Sequence, residues 1–578
     1  MTVQDTQLTF PHKRRSWRPK SNTRLFWISL LIVFLAFITV YPLSMLIYGS
    51  LSSGSPGQEG TLNLDGYARV FSAENFVVIW NTILLSLAKV IPSIIVAVFL
   101  AWIVARTDTP MRGTLEVLIT LPFFIPPILT AMAWSMLGNP QTGPINTLWR
   151  DLTGSTEPLI NVYSFGGVVW HMAQYSVSFI FLFVVEAFRR MDPSLEEASR
   201  MCGASRWRTI RSITLRLMFP VIATCFVLSF VRGMESLESP LFFGTPAGIR
   251  VVATDIYNSI NQDFTPDYQF ATALSIVVMA MMFLVVIAQR TITSRRRYET
   301  VAGKGFRPAV MKLGGWRWVT FGLCVLFFAI TVLLPVGQLL VGSFYRYIGF
   351  YKSDMLTLEH YRSVFSDRAI WSAIRNTMLL GLTAATATMF LGAIVAYISI
   401  RTRWKGRRLI DFMAWLPWMM PGIVLGVGFL WAFAYLPGPI QIYGTLWALF
   451  LAYVAICTPL SVNSMSSAYV QLSRDLEECS RVHGASFAQT LLRILIALAW
   501  PSFAIGWVLC FFVVMRELSA SVLLYSVGTE VLPVEMLKLW SNGRAEEVCV
   551  LGMMMMVLVV IFRLSLLLIA RRDRSAGL

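Results

Sequence analysis

The sequence predicts an all-α membrane protein of about twelve transmembrane helices, arranged as two parallel six-helix repeats. Three observations carry that prediction: composition, the number of long apolar stretches, and an internal repeat. Of 578 residues, 56% are hydrophobic and 14% charged, and mean hydropathy is +0.65. A soluble domain carries about 25% charge, so an ordinary water-soluble protein is excluded. A membrane helix needs about 20 mostly apolar residues. Stretches of that kind fall at 25–48, 76–105, 114–137, 164–186, 216–243, 268–289, 317–343, 371–400, 409–434, 443–468, 497–525 and 547–570.

An even number of spans puts both termini on one side, and the Lys/Arg bias of the loops indicates which. With the termini inside, 34 of the 48 basic residues lie in inner segments, nine in outer loops and five in spans. Both termini are therefore expected in the cytoplasm. The formal charge of +17, which a nucleic-acid binder could equally show, is read as topology, with no nucleic-acid partner. The basic first 24 residues precede a long apolar span without a small-residue cleavage pattern, as in a retained anchor. Seven cysteines without a CxxC pair and four scattered histidines predict no disulfide, metal cluster or fixed metal site.

The repeat fixes the halves. Leu62 to Phe71, LNLDGYARVF, returns as Leu356 to Phe365, LTLEHYRSVF; Asn81-Thr82 returns as Asn376-Thr377. Leu121-Pro122 with Pro126 returns as Leu416-Pro417 with Pro421, and Leu195 to Arg200 (LEEASR) as Leu476 to Arg481 (LEECSR). Six spans per half is an even number, so the halves insert in the same orientation about an axis normal to the membrane. The expected division is a cytoplasmic tail at 1–24, a first half at 25–290, a basic cytoplasmic linker at 291–315 and a second half at 316–578.

The most informative segments are the inner loops after spans four and ten. In the first, Glu196, Glu197 and Ala198 suit a helix start and Gly203 a left-handed stop, followed by Ala204 and Ser205. The second repeats this with Glu477, Glu478, Cys479, Gly484, Ala485 and Ser486. Each predicts a helix-turn-helix knob facing the cytoplasm. A solvated basic loop is the plain alternative, weakened by two copies in register. These knobs are the expected coupling surface for a two-fold partner.

The segments resemble the EAA loop of ABC importer membrane subunits: Glu-Ala-Ala, three residues, Gly, nine residues, Ile-x-Leu-Pro. Glu197-Ala198-Ser199 precedes Gly203 and Ile213, and Glu478-Cys479-Ser480 precedes Gly484 and Ile494, at that spacing. Departures are Ser199, Cys479 and Ser480 for Ala, Ile496 for Leu, and Arg216 and Ala497 for Pro, leaving the loop-to-span bend to Pro220 and Pro501. The fused twelve-span arrangement resembles the ferric iron-type branch of the binding-protein-dependent permeases, related to polyamine, thiamine, phosphonate and sulfate importers. The resemblance implies the type I (MetI-like) fold and a bacterial inner-membrane location. It also implies two copies of a separate cytoplasmic ABC ATPase under the knobs, and a periplasmic substrate-binding protein above. No Gly-x4-Gly-Lys-Ser/Thr occurs here, so ATP and Mg are expected on that ATPase, with no cofactor and no catalytic residue on this chain.

Polar groups in the spans are the candidate pathway, because charge inside a bilayer is costly and so points to function. Arg232, Glu235, Glu238 and Pro240 end span five, and Arg516, Glu517 and Ser519 end span eleven. Glu235 and Glu238 share a helix face. An internal ion pair such as Arg232 with Glu235, or Arg516 with an acid on another span, stands beside direct contact with substrate. Pro122, Pro126 and Pro127 in span three match Pro417 and Pro421 in span nine, which fits a gate or a pair of packing kinks. Asn81 and Asn376 read as helix caps, Lys89 as a snorkelling or paired residue, and Asp255, Asp263 and Asp267 as solvated loop charges. A gradient-driven secondary transporter shares the two-half, twelve-span plan, but the conspicuous repeated elements here are inner docking loops.

Overall fold

The computed structural model describes residues 21–192, 194–261, 265–294, 310–351 and 353–576. Most of the expected tail, the centre of the linker and Asp263 lie outside the described residues. Among the described residues, eight helices are long enough and apolar enough to cross a bilayer: Phe26–Leu51, Ala73–Arg106, Phe165–Arg190, Trp207–Met234, Tyr268–Ala288, Trp316–Phe344, Arg368–Arg401 and Leu446–Gln471. The twelfth expected stretch belongs to the 32-residue helix Ala545–Ala576.

The other three stretches correct the expectation of merely kinked spans. The third is broken into Arg112–Phe123 and Pro127–Leu137 at 90°, and the ninth into Arg407–Met419 and Gly422–Ala434 at 113°. The cause is local. A residue before proline is driven out of the helical region. Ile125, before Pro126, has ψ 130°, and Met420, before Pro421, has ψ 120°. Each first arm tightens into a 3₁₀ turn carrying the earlier proline, Leu121–Phe124 with Pro122 and Leu416–Met419 with Pro417. The eleventh is broken into Phe487–Leu498 and Trp500–Met515 at 83°, at Ala499 just before Trp500-Pro501. Pro220, its counterpart, sits inside the unbroken helix Leu215–Met234. The bend that both prolines were expected to make is present in one half only.

Packing follows the repeat. In the first half, Ala73–Arg106 packs on Phe165–Arg190, and Tyr41–Leu51 on Tyr268–Ser294. In the second, Arg368–Ala396 packs on Leu446–Gln471, and Leu334–Phe344 on Ala545–Ala576. The first span of each half also crosses to the other half's broken helix: Tyr41–Leu51 lies on Gly422–Ala434, and Leu334–Phe344 on Pro127–Leu137. Lipid supplies no hydrophobic drive between helices, so such contacts depend on close approach at small residues. A Cβ on Gly49 would come within 2.5 Å of the Trp431 ring, and one on Gly342 within 2.6 Å of Cys549 Sγ. Tyr41 OH donates to the Ala432 carbonyl at 3.0 Å, fastening the first clasp. The repeated tyrosines meet the same partner in both halves, Tyr67 OH with Ser50 Oγ at 2.8 Å and Tyr361 OH with Ser343 Oγ at 2.9 Å.

After spans five and eleven the chain forms short helices, Val252–Asn261 and Leu532–Ser541, whose residues are almost all buried. The repeated Asn-Thr pair holds them. Thr82 Oγ1 accepts the N–H of Val252 at 2.9 Å, and Thr377 Oγ1 that of Leu532 at 2.7 Å, supplying a missing partner at each helix start. Asn81 Nδ2 donates to the Arg250 carbonyl at 3.1 Å, and Asn376 Nδ2 to those of Gly528 and Glu530 at 3.1 and 3.0 Å. The asparagines therefore do not cap their own helices. Ser72 and Asp367 do that, nine residues earlier in each half.

Candidate coupling knobs and helix-break gate

Each knob is a short helix, Ser194–Met201 or Asp475–Val482, stopped by a glycine with φ +83° (Gly203) or +80° (Gly484). The stops are Schellman motifs. Gly203 N donates to Arg200 O at 2.9 Å and Ala204 N to Ser199 O at 3.1 Å; Gly484 N donates to Arg481 O at 3.0 Å and Ala485 N to Ser480 O at 3.1 Å. A second short helix follows, and its start is a capping box in the second knob, where Ser486 and Gln489 bond reciprocally. Ser205 Oγ accepts the Arg208 N–H at 3.3 Å in the first.

The departures Ser199 and Ser480 hold the two arms together. Ser199 Oγ meets Thr209 Oγ1 at 3.1 Å, and Ser480 Oγ meets Thr490 Oγ1 at 2.9 Å. Both pairs lie ten residues apart in register, a signal that the sequence reading passed over. The paired glutamates divide their tasks. Glu197 and Glu478, with Ala198 and Cys479, are exposed, while Glu196 and Glu477 turn toward the body. Thr214 Oγ1 donates to Glu196 at 2.7 Å. Glu477 is far more enclosed, its side chain 8% exposed, with Arg401 Nε and Arg481 Nη2 each at 3.5 Å. Tyr397 OH donates to it at 3.3 Å. The tips are apolar and exposed: Met201 89%, Trp207 72% and Val482 84%.

The candidate pathway residues gather at the two helix breaks. Arg516 crosses from the second half to the first, where Nη1 donates to the Phe123 carbonyl and Nη2 to Tyr175 OH, both at 2.9 Å. Its guanidinium stacks on both rings, 5.3 Å from Phe123 and 5.4 Å from Tyr175. Arg232 makes the mirrored approach, 5.5 Å from the Trp418 ring at the other break. Its charge is met by Glu235 at 2.6 Å, the ion pair that the sequence offered. Arg516 has taken a carbonyl and a phenol rather than an acid.

Glu517 sits beside the ninth-span break, where a Cβ on Gly422 would be 3.1 Å from both its Oε1 and Ser519 Cβ. It accepts the Ala520 N–H at 3.0 Å. Glu238 lies within electrostatic reach of Glu235, Arg516 and Glu517, so three carboxylates from both halves converge. Among the described residues no group of three His, Cys, Asp or Glu has the geometry to hold a metal ion. Pro122 and Pro417 are buried in the 3₁₀ turns of the two breaks, and Pro240 is buried at the start of the short π-helix Pro240–Gly244. Lys89 is buried, donates to Ser176 Oγ at 3.0 Å and interacts with Glu235; it does not snorkel.

The outer acids correct another expectation. Asp255 is buried and paired with Arg250 at 2.5 Å, and Asp267 pairs with Arg69. On the second half, Lys538 lies 3.2 Å from both Glu530 and Glu535. Burial acts to raise the Glu530 carboxyl, but its own N–H, Lys538 and the Gly528 N–H outweigh that and hold it below the usual carboxylate range.

The family described as "Binding-protein-dependent transport system inner membrane component" matches residues 67–298 and again 388–574. A ferric transport system permease protein of Actinobacillus pleuropneumoniae is 27% identical over 403 residues, 69% of this chain and 58% of its own length. This chain thus spans less than two thirds of that relative. An Fe(3+)-transport system permease protein of Haemophilus influenzae is 24% identical over 506 residues, 87% of this chain and 90% of its own length. The spermidine/putrescine transport system permease protein of Escherichia coli is 26% identical over 244 residues, 42% of this chain and 90% of its own length. Matched in both halves over well more than half its length, the chain belongs to the binding-protein-dependent transport system inner membrane component family.

Proposed function

We propose that this chain is the membrane permease of an ATP-driven, binding-protein-dependent ABC importer, and that its substrate is ferric iron. The observation that carries the importer reading is the pair of knobs: two copies of one Schellman-stopped helix, apolar at the tip and joined to the body by a buried or half-buried glutamate. A two-fold surface of this kind suits two copies of a cytoplasmic ATPase, which would hold ATP and Mg. The Lys/Arg bias supports placing the knobs and both termini in the cytoplasm of a bacterial inner membrane. A periplasmic binding protein would deliver substrate to the opposite face.

In this reading residues 25–290 and 316–578 are the two halves, joined by the linker 291–315. ATP-driven closure of the ATPases moves the knobs, and the helix breaks open the path between the halves, first outward and then inward. Ferric iron is supported by the named substrates of the two longer-matching relatives. The polyamine relative matches over one half's length, which makes a polyamine the second substrate to test.

The test is reconstitution with the partner ATPase and binding protein in proteoliposomes. ATP turnover stimulated by ferric-loaded binding protein, with ⁵⁵Fe uptake, is the expected result. Stimulation by a polyamine-loaded protein alone would replace the substrate. Uptake driven by a proton gradient without ATP would replace the importer reading with a secondary transporter.

A further inference from the structure

We infer that Arg516 is the latch of the gate, and that it works because two consecutive prolines leave one carbonyl without a helical partner. In a helix the carbonyl of residue i is met by the N–H of residue i+4, or of i+3 in a 3₁₀ turn. For Phe123 those residues are Pro127 and Pro126, and neither has an N–H. The Phe123 carbonyl is therefore orphaned at membrane depth, where an unmet backbone group is costly. Arg516 of the other half supplies the donor at 2.9 Å, with Tyr175 OH and two aromatic faces completing its site.

The other half lacks the arrangement. At the ninth-span break Trp418 is followed by Pro421 at i+3 and Gly422 at i+4, beyond two extended residues, Met420 and Pro421, with ψ 120° and 147°. Arg232 there stacks on the Trp418 ring and spends its hydrogen bond on Glu235 of its own half. One break is fastened across the interface by a directional bond, and the other only touches. Residues 516 and 517 reach both breaks from one helix end, because Glu517 packs against Gly422. Opening between the halves then requires Arg516 to leave the Phe123 carbonyl, and the two breaks part in a fixed order, ninth-span side first. This latch rests on the importer reading for its purpose, but its existence can be tested without it.

The test uses the full-length chain in membranes with Phe124→Cys and Phe512→Cys, whose native rings lie 5.5 Å apart across the halves. Oxidative cross-linking between these positions, quantified by peptide mass spectrometry, reports the latched state. Arg516→Ala should lower the yield about tenfold, equivalent to ~1.4 kcal/mol. Tyr175→Phe should lower it about fivefold, because it removes the hydroxyl that accepts from Arg516 and positions it on the Phe123 carbonyl. The double variant should add nothing to the Arg516→Ala change. Arg232→Ala should stay within about threefold of the parent, since its hydrogen bond lies in its own half and only its ring contact with Trp418 crosses. Tyr175→Phe removes no charge, so it carries the test if Arg516→Ala does not fold. A merely structural role would change expression without this non-additivity. An unchanged yield in Tyr175→Phe, or additive effects in the double variant, would overturn the latch. Failure of the knobs to bind an ATPase would overturn the importer reading and leave the latch standing.

Discussion

Replacing Glu477 by Gln should uncouple the second knob far more than the same change at Glu196 uncouples the first. Glu477 lies between Arg401, 3% exposed, and Arg481, 62% exposed, each 3.5 Å away. The exposed Arg481 arm is screened and contributes at most about 0.5 kcal/mol. The Arg401 arm is different, because neutralising one partner of a buried pair leaves the other charge uncompensated, at about 3–5 kcal/mol. Arg401 also donates to the carbonyls of Leu472 and Tyr469, which argues for the lower end of that range. Loss of about 3 kcal/mol shifts the equilibrium between rooted and released knob by about two powers of ten. Glu196 has one hydroxyl donor and a half-exposed setting, and it acts on the buried Arg106 only from beyond ion-pair distance, so its replacement should cost about 1 kcal/mol. Tryptic nicking after Arg474, followed by mass spectrometry, reads the released state. A rise of about a hundredfold in Glu477→Gln is expected, against a few-fold rise in the first knob of Glu196→Gln. Equal rates in the two variants would refute the rooting argument.

Asn376→Ala should lower stability by about 1–3 kcal/mol by leaving the buried Glu530 carbonyl and the part-buried Gly528 carbonyl unmet, and Asn81→Ala by less, because Asn81 serves one carbonyl at an exposed site; thermal unfolding in detergent compares them. Gly49→Ala should cost about 1–3 kcal/mol, since its Cβ would stand 2.5 Å from the buried Trp431 ring and force the first span off the other half. Glu530 gives the pH dependence. Its folded carboxyl titrates below its unfolded value, so its contribution is full above about pH 4.3 and lost as pH falls through the lower folded value. Unfolding midpoints should therefore fall on acidification in the parent, and fall less steeply in Glu530→Gln.

Much of this architecture was legible because a repeat is read twice. The halves, the knobs and the glycine stops all rest on local patterns, namely apolar length, a capping preference and a left-handed residue. The magnitude of the third- and ninth-span breaks was not legible. Proline predicts that a helix is disturbed, but the 90° and 113° turns depend on Ile125 and Met420 going extended against the packed first and seventh spans. Asn81 and Asn376 looked like caps because their partners, the carbonyls at Arg250, Gly528 and Glu530, lie over 150 residues away. Asp255 looked solvated because nothing in an outer loop's composition shows that its helix is folded inward beneath Arg250. Ser199 and Ser480 could have been found. Each keeps a threonine ten residues on, and a hydroxyl pair preserved in both copies is a contact hypothesis in itself.

The central claim is that the two knobs are where ATP-driven force enters the membrane. The most direct test changes only their exposed tips, Met201→Glu together with Val482→Glu, which lie 89% and 84% exposed and so support no packing of the permease itself. Substrate-stimulated ATP turnover of the reconstituted complex is the measurement. The expected result is a normally folded permease that no longer retains its ATPase and shows no stimulated turnover. Full stimulated turnover in that variant would contradict the claim.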